Sequence, residues 1–582
     1  MMHQHFDLPV SFLQRITDRL RFLYKDHLTG AFLYRFYGLI EDFRKRPTYD
    51  FPHWSQQDVV LITYGDSIRE EEKAPLQTLY DFWKAFLKDR ITVVHILPFF
   101  PYSSDDGFAV QDYMKVNPAL GHWEDIKQLG EEVDLMFDLV VNHVSAGHKW
   151  FKAFMEGEEN EREYFITVSP EADTSTVVRP RSKPLLTPVE TPQGTRWVWT
   201  TFSADQVDLN FRNPEVLLEI MKVLLFYLRQ GARIIRLDAI AFLWKRLGTP
   251  SVHLPETHEV VKLMRDVVDL VNPGVILLTE TNVPNDENMS YFGEGDEAHM
   301  VYQFSLPPLM LHALHTGNGS YLTQWLKTIP SPRPGNTFFN FTASHDGIGV
   351  RPLEGLLPEE QKQMLLHDMQ TYGGYISTKT NADGSESAYE INITYFDAMR
   401  GTQNGFDSYQ VERFLCSQTI MLQLKGVPAF YIHSLLGTRN ALRLAEESGQ
   451  HRSINRYKWD YNELKEVLES DHMHHGYILR ELKRRIGIRQ QHKAFHPDAK
   501  QYTLEVSPAI IVMMREWEEN DERIVCLANL QNQKGRYAVT HFFKEKGDLD
   551  NLLSDEPVNL EHGHIVIEPY QVMWLKKIED KN

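Results

Sequence analysis

The stretch ARIIRLDAIAF, residues 232–242, sets Arg236 and Asp238 inside a run of otherwise apolar residues rich in β-branched side chains. Successive side chains of a strand alternate between its two faces, so these two opposite charges point to the same side. A run that is apolar on both faces and charged at its C-terminal end is what a buried parallel strand ending in a functional site would show.

Seven further runs of the same kind lie on either side: DVVLITYGD (58–66), ITVVHILPF (91–99), VDLMFDLVVNH (133–143), GVILLTETN (274–282), MVYQFSLPP (300–308), TFFNFTASHDG (337–347) and VPAFYIHSLLG (427–437). Helical patterns such as EVLLEIMKVLLFYLRQG and THEVVKLMRDVVDLVNPG stand between them, the second followed by a glycine suited to a helix end. Eight apolar runs alternating with helices predict an α/β fold, a (β/α)8 TIM barrel. Two connections, after the third and seventh strands, are too long for plain loops and are expected to be inserted subdomains on the face where barrel active sites form. From about residue 495 the pattern turns to short alternating strands, predicting a small C-terminal all-β domain, most economically a sandwich. The expected division is N-terminal helices and the first part of the barrel (1–144), an inserted B subdomain (145–205), the barrel continued (206–349), a second insertion (350–405), the end of the barrel (406–494) and a β-sandwich (495–582).

The bulk composition narrows the function. A formal charge of −19 disfavours a nucleic-acid binder, whose affinity comes largely from cations that release counterions. No run of about 20 apolar residues is present to span a bilayer, and the first residues lack the order of a signal peptide. Cys416 and Cys526, far apart in sequence, offer neither a disulfide framework nor metal spacing, so the expected compartment is the cytoplasm. Neither membrane nor nucleic-acid partners are expected, and self-association is compatible with the sequence.

Polar residues at the C-terminal ends of barrel strands project into the mouth. Here they are Asp105 and Asp106, Asn142 and His143, Arg236 and Asp238, Glu280, and His345 and Asp346. Three carboxylates from three strand ends, converging with an arginine and histidines, suit retaining glycosyl transfer. That chemistry needs a nucleophile on one face of the sugar and a protonated acid on the other, with carboxyl groups about 5–5.5 Å apart. Arg236 would lower the pKa of Asp238 and keep it ionised, while desolvation would hold a proton on Glu280.

In this order, VVNHVS, RLDAIAF, LLTETN and SHDGIG resemble the signature regions of glycoside hydrolase family 13, the α-amylase family. The resemblance implies Asp238 as nucleophile, Glu280 as general acid/base and Asp346 as the transition-state-stabilising carboxylate. It implies that Arg236, His143 and His345 hold the glucosyl ring and the nucleophile, with Phe108 and Phe202 as aromatic walls and Gln206 in the sugar-binding set. Asp105 looks like the aspartate at the blind end of the glucose pocket, with Arg456 as its expected partner. Asn142 and His143 resemble a corner that binds calcium in some amylases, but no further hard-cation cage is readable, so no metal and no cofactor are expected.

Nearly end to end, in stretches such as RPRSKPLLTP, WTTFSADQVDLN, FSLPPLMLHAL and AYEINITYFDA, the chain is similar to the sucrose-phosphorylase-type branch. Such enzymes transfer glucose from a small α-glucoside to inorganic phosphate as co-substrate, giving α-glucose 1-phosphate with retention. Arg179 and Arg181 in VVRPRSKP, with Tyr389, are the expected phosphate and acceptor residues. Where sucrose phosphorylases carry a tyrosine and a histidine for the fructosyl unit, this chain has Phe242 and Asn282, which demotes sucrose. The loop approaching Tyr389 offers acidic groups and no cation, and Glu390 can accept bonds from two hydroxyls. On that charge argument the expected substrate is 2-O-α-glucosylglycerol, ahead of glucosylglycerate, sucrose or sucrose 6-phosphate, and a hydrolytic α-glucosidase. A non-catalytic barrel serving as an interaction or transporter subunit would be free to lose its carboxylates, and all three are present.

Overall fold

The computed structural model describes residues 6–44, 54–181, 183–381, 385–538, 542, 549–558, 560–562 and 564–578. Each of the eight apolar runs contains a strand. In chain order these are β1 (Val60–Thr63), β2 (Val93–Ile96), β3 (Asp134–Val140), β4 (Ala232–Asp238), β5 (Ile276–Thr279), β6 (Met300–Tyr302), β7 (Thr337–Phe341) and β8 (Val427–Tyr431). Every neighbouring pair is parallel, and β1 closes on β8 through Val60 opposite Ala429, so the sheet is a closed (β/α)8 barrel. Their residues are buried almost throughout because helices cover the outer face and side chains fill the lumen.

The N-terminal helices Val10–Tyr24 and Gly30–Arg44 lie outside the barrel. Arg19 ties the first of them to the barrel helix Pro255–Val271, donating to Asp266 (2.7 Å) and Glu259 (2.9 Å).

Both long connections after β3 and β7 are folded insertions. The first leaves and returns through an antiparallel stalk, His143–Ser145 against Gln206–Asp208, and carries the helix Lys149–Glu156 and the hairpin Leu186–Thr191/Gly194–Trp199. The second folds Ile348–Gly349, Glu386–Asn392 and Tyr375–Thr380 into a three-stranded sheet beside the mouth. Residues 382–384 of its hairpin lie outside the described residues.

The C-terminal region forms a five-stranded sheet ordered Lys500–Ser507, Ile510–Trp517, Glu522–Asn529, Val572–Lys577, Leu549–Asn551, and a three-stranded sheet of Gly535–Tyr537, His564–Ile567 and Leu560–Glu561. Strand alternation buries both faces of the larger sheet. Ile510, Val512, Val525 and Leu527 pack with Ile565 and Ile567 of the smaller one, while Ile511, Met513, Cys526 and Trp574 join the barrel core. The stretch HIVIEPYQVMWLKK is two strands in two different sheets, separated by a turn at Tyr570 with φ +52°.

Candidate active site

The site lies in the mouth at the C-terminal strand ends. Asp105, Phe108, His143, Arg181, Phe202, Gln206, Asp238, Phe242, Glu280, Asn282, His345, Asp346, Tyr389 and Glu390 line one cavity together with Arg452. Each arrives by local geometry. Asp238 is the last residue of β4, and Ala239 after it adopts the left-handed region (φ +51°), a conformation costing a non-glycine residue roughly 1–2 kcal/mol. That turn aims the Ala239 N–H at Glu280 Oε2, 3.0 Å away, fixing the carboxyl beyond β5. His143 and Gln206 face the cavity from the two strands of the stalk.

Beneath the cavity Arg236 does more than serve Asp238. Its Nη1 donates to Asp138 Oδ1 and, at 2.8 Å, to Asp238 Oδ1, and its Nη2 lies 4.0 Å from Glu280 Oε2. Asp138 in turn meets His95 Nε2 at 2.6 Å. Burial would raise Asp138, but His95 and Arg236 outweigh it and hold its carboxyl below the usual range.

Arg236 does act to lower the Asp238 pKa, as expected, but it does not set the net direction. Burial pushes Asp238 well above the usual carboxylate range, with Arg236 opposing and the charges of Glu280, Asp138 and Asp346 adding to the rise. Burial also raises Glu280, again against Arg236. Of these two raised groups only Asp238 lies within hydrogen-bond reach of the guanidinium, a contact that favours its anion. Burial alone would raise Asp346 too, but Arg452, His345 and Arg456 together hold it far below the usual range.

Aromatic rings shape the walls. Phe108 stacks on His345 with centroids 4.9 Å apart, and Phe202 lies against His143 (5.2 Å) and edge-on to Phe242 (5.6 Å). Burial drops the His345 pKa to about 3, so its imidazole is neutral at pH 7. Gln206 donates to Asp105 Oδ2 at 3.1 Å.

Two assigned partnerships differ from expectation. Arg456 pairs with Asp106, not Asp105, and donates from Nε to the His345 carbonyl (3.0 Å). Asp105 is nevertheless kept ionised: burial raises it, and Arg181, Arg452 and Arg456 outweigh that. Arg179 is outside the cavity lining, its Nη2 bonding the Lys183 carbonyl across the turn that carries Arg181 (2.6 Å).

Sequence reasoning missed Arg452. Its Nη1 meets Asp346 Oδ1 at 2.5 Å, and its Nε (3.0 Å) and Nη2 grip both oxygens of Glu390, which is 2% exposed. The cavity wall around Tyr389 is thus not devoid of cations, and Glu390 is already engaged. The signal was present in GQHRSINRY, four residues before Arg456, but only the fold brings it to Glu390, 62 residues away in sequence.

Lys245 was also missed. It is buried, with Nζ 2.5 Å from Asn142 Oδ1 and 2.7 Å from Asp208 Oδ2, so the corner that resembles a calcium site holds an ammonium group. Asn142 Nδ2 lies 3.2 Å from His143 Nδ1. Among the described residues no group of three or more His, Cys, Asp or Glu is arranged to hold a metal ion, and no helix is long and apolar enough to cross a membrane.

Residues 85–340 match the family described as alpha amylase, catalytic domain. Across 97% of this chain and all of the relative, the sequence is 42% identical to a glucosylglycerate phosphorylase of Escherichia coli (strain K12). The chain belongs to the α-amylase family, glycoside hydrolase family 13. Its likenesses within the family lie in the sucrose-phosphorylase branch, and it is an enzyme of the glycoside phosphorylase type. A glucosylglycerol phosphorylase of Marinobacter adhaerens is 29% identical over 71% of the chain and 84% of the relative. The crystal structure of sucrose 6F-phosphate phosphorylase from Thermoanaerobacter thermosaccharolyticum superposes with a TM-score of 0.72 at 25% identity, covering 83% of this chain and 97% of that one.

Proposed function

We propose that the enzyme is a glucosylglycerate phosphorylase, exchanging the glycerate group of an α-glucoside for phosphate with retention of configuration. The observation that carries this reading over glycerol is the cationic acceptor side. Arg181 lines the cavity together with Arg452 and supplies the positive charge that an anionic acceptor or phosphate requires. The Glu390 carboxylate, on which the glycerol argument rested, is occupied by Arg452. The greater identity to a glucosylglycerate phosphorylase supports the same choice.

In this reading Asp238 attacks the anomeric carbon while Glu280 passes its proton to the departing oxygen of glycerate. Water-poor surroundings strengthen every charge contact at that step. Asp346, fixed as an anion by Arg452, stabilises the oxocarbenium-like transition state and binds sugar hydroxyls. Asp105, Gln206, His143 and His345 hold the glucosyl ring, with Phe108 and Phe202 as walls. Phosphate, oriented by Arg181 and Tyr389, then displaces Asp238 to give α-glucose 1-phosphate, with Phe242 and Asn282 bordering the acceptor.

The test runs the reaction backwards. With α-glucose 1-phosphate as donor, phosphate release is followed with glycerate, glycerol, fructose and fructose 6-phosphate. Glycerate is expected to be the best acceptor. Faster release with glycerol would restore the glucosylglycerol reading, and free glucose formed from a glucoside equally fast without phosphate would make the enzyme a hydrolase.

A further inference from the structure

The inner faces of β6 and β7 belong to the catalytic centre: the Tyr302 ring lies 5.8 Å from the Arg236 guanidinium, and Phe341 lines the catalytic cavity. Side chains alternate along a strand, so Gln303, directly after β6, and Asn340 in β7 point outward. The outer wall of a parallel barrel is ordinarily apolar, and here the runs MVYQFSLPP and TFFNFTASHDG each set an amide in it. Both residues are buried, at 2% and 1% exposure. They face a cavity of about 330 Å³ whose other walls are the end of the helix Ser320–Thr328, the segment before β8 and residues 501–504 of the C-terminal sheet. The Gln303 amide makes no side-chain hydrogen bond among the described residues, and Asn340 spends only Nδ2, on the Lys425 carbonyl (3.0 Å). Buried amides left unpaired are costly, so these call for partners from outside the chain.

Water can satisfy the amides, but the cavity also carries charge. Lys425 lines it, held by its backbone N–H to Gln501 Oε1 (2.6 Å), and its ammonium group contacts no carboxylate among the described residues. Two buried guanidiniums stand behind it. Arg489 donates to the carbonyls of Leu422 (3.0 Å) and Gly426 (3.2 Å) and Arg515 to that of Gln423 (2.8 Å), on either side of Lys425. Burial lowers the Lys425 pKa and Arg515 lowers it further, with Asp498 opposing. An anion at the ammonium group would relieve that repulsion. We propose that this cavity is a second small-molecule site, separate from the catalytic mouth, for a small polyhydroxylated anion bearing a phosphate or a carboxylate. The anion meets the Lys425 ammonium group, and the hydroxyls pair with the Gln303 amide and Asn340 Oδ1 against the apolar wall of Phe338 and Leu504. The volume and the few polar groups set in an apolar lining are those of a ligand pocket. The site is independent of which glucoside the enzyme cleaves.

Equilibrium dialysis of the full chain against radiolabelled α-glucose 1-phosphate, and separately against radiolabelled glycerate, counts the sites. Asp238→Asn is present throughout so that the sugar phosphate is not consumed. Two sites per chain are expected for at least one of the two ligands: a phosphate anion if for α-glucose 1-phosphate, a carboxylate if for glycerate. Lys425→Met and Gln303→Leu should each weaken the second site at least about tenfold, the worth of one hydrogen bond to a charged group for the first. Neither substitution should alter the first site, nor, with Asp238 restored, the KM for α-glucose 1-phosphate in glucosyl transfer, which also reports that the variants fold. One site per chain for both ligands would overturn the proposal, as would a second site that both variants leave intact. Displacement from the second site by glucose as readily as by glucose 6-phosphate would also overturn it, since the anion would then contribute nothing.

Discussion

Replacing Arg452 by methionine removes a guanidinium from three contacts while keeping much of the side-chain volume. Glu390 loses the Nε bond at 3.0 Å and its partner at Nη2, and Asp346 loses the 2.5 Å contact with Nη1. Because Glu390 is 2% exposed, water cannot take the place of the lost cation. Breaking a buried pair by removing one member costs about 3–5 kcal/mol. At an unfolding entropy of about 2.1 cal/mol/K per residue, a chain of 582 residues loses about 2.5–4 °C of thermal midpoint for that cost. The double variant Arg452→Met/Glu390→Gln replaces the orphaned charge by a neutral amide and should regain at least half of the loss. The pH dependence has a definite sign. Asp346 is held below its ordinary range, so its contribution is complete above the unfolded value of about 4 and fades as pH falls below it. The deficit of the single variant should shrink in acid. Scanning calorimetry of the single and double variants at neutral and acid pH checks all three points. A single variant as stable as wild type at pH 7, or a double variant no more stable than the single, would refute the reasoning.

Asp238→Asn should leave a folded protein almost without glucosyl transfer, measured as phosphate release from glucose 1-phosphate; ordinary turnover would reject it as nucleophile. Glu280 must be protonated to donate, and its raised pKa extends activity toward alkaline pH before the rate declines. Glu280→Gln should erase that alkaline limb and cost about 10²–10⁴-fold on glucosides, but far less on forming the glucosyl enzyme from glucosyl fluoride, whose leaving group needs no proton. Survival of the limb in that variant would assign the acid elsewhere. Lys245→Met should strand the fully buried Asp208 at a cost of about 3–5 kcal/mol and raise the KM for the glucoside as His143 loses its oriented neighbour Asn142; an unaltered KM would confine Lys245 to a structural role.

The barrel was legible because its strands are buried on both faces, which leaves an uninterrupted apolar run for each. The carboxylates were legible because Asp238, Glu280 and Asp346 stand where those runs end. Ion-pair partners were less so. Nothing local distinguishes Asp105 from Asp106, and the backbone at both is left-handed (φ +55° and +48°), so which of the two meets Arg456 is decided only in three dimensions. The charge argument for glycerol is weakened for a related reason. It leaned on the residues flanking Tyr389, whereas the cation facing Glu390 comes from the segment before Arg456. His95 and Asp138 did carry a sequence signal, as ionisable residues inside the apolar runs ITVVHILPF and VDLMFDLVVNH.

That buried pair changes what Arg236 does. A cation devoted to Asp238 would stabilise the free enzyme and lose its purpose once the carboxylate became an ester. On the proposed mechanism the charge of the Asp238–Glu280 pair does not vanish in the first half-reaction but moves. Asp238 begins as the anion and becomes neutral in the glucosyl ester, while Glu280 begins neutral and is left as the anion. Arg236 reaches both positions from one place, at 2.8 Å and 4.0 Å, and Asp138 with His95 beneath it fixes the guanidinium. A planar, multiply donating cation can favour both ends of the transfer without moving, where a point charge would favour one. Asp346 needs no share in this exchange because Arg452 and Arg456 hold it as an anion throughout. On this mechanism one side of the mouth passes a single negative charge between two carboxyls, while the fixed charge of Asp346 on the other side helps to raise them both.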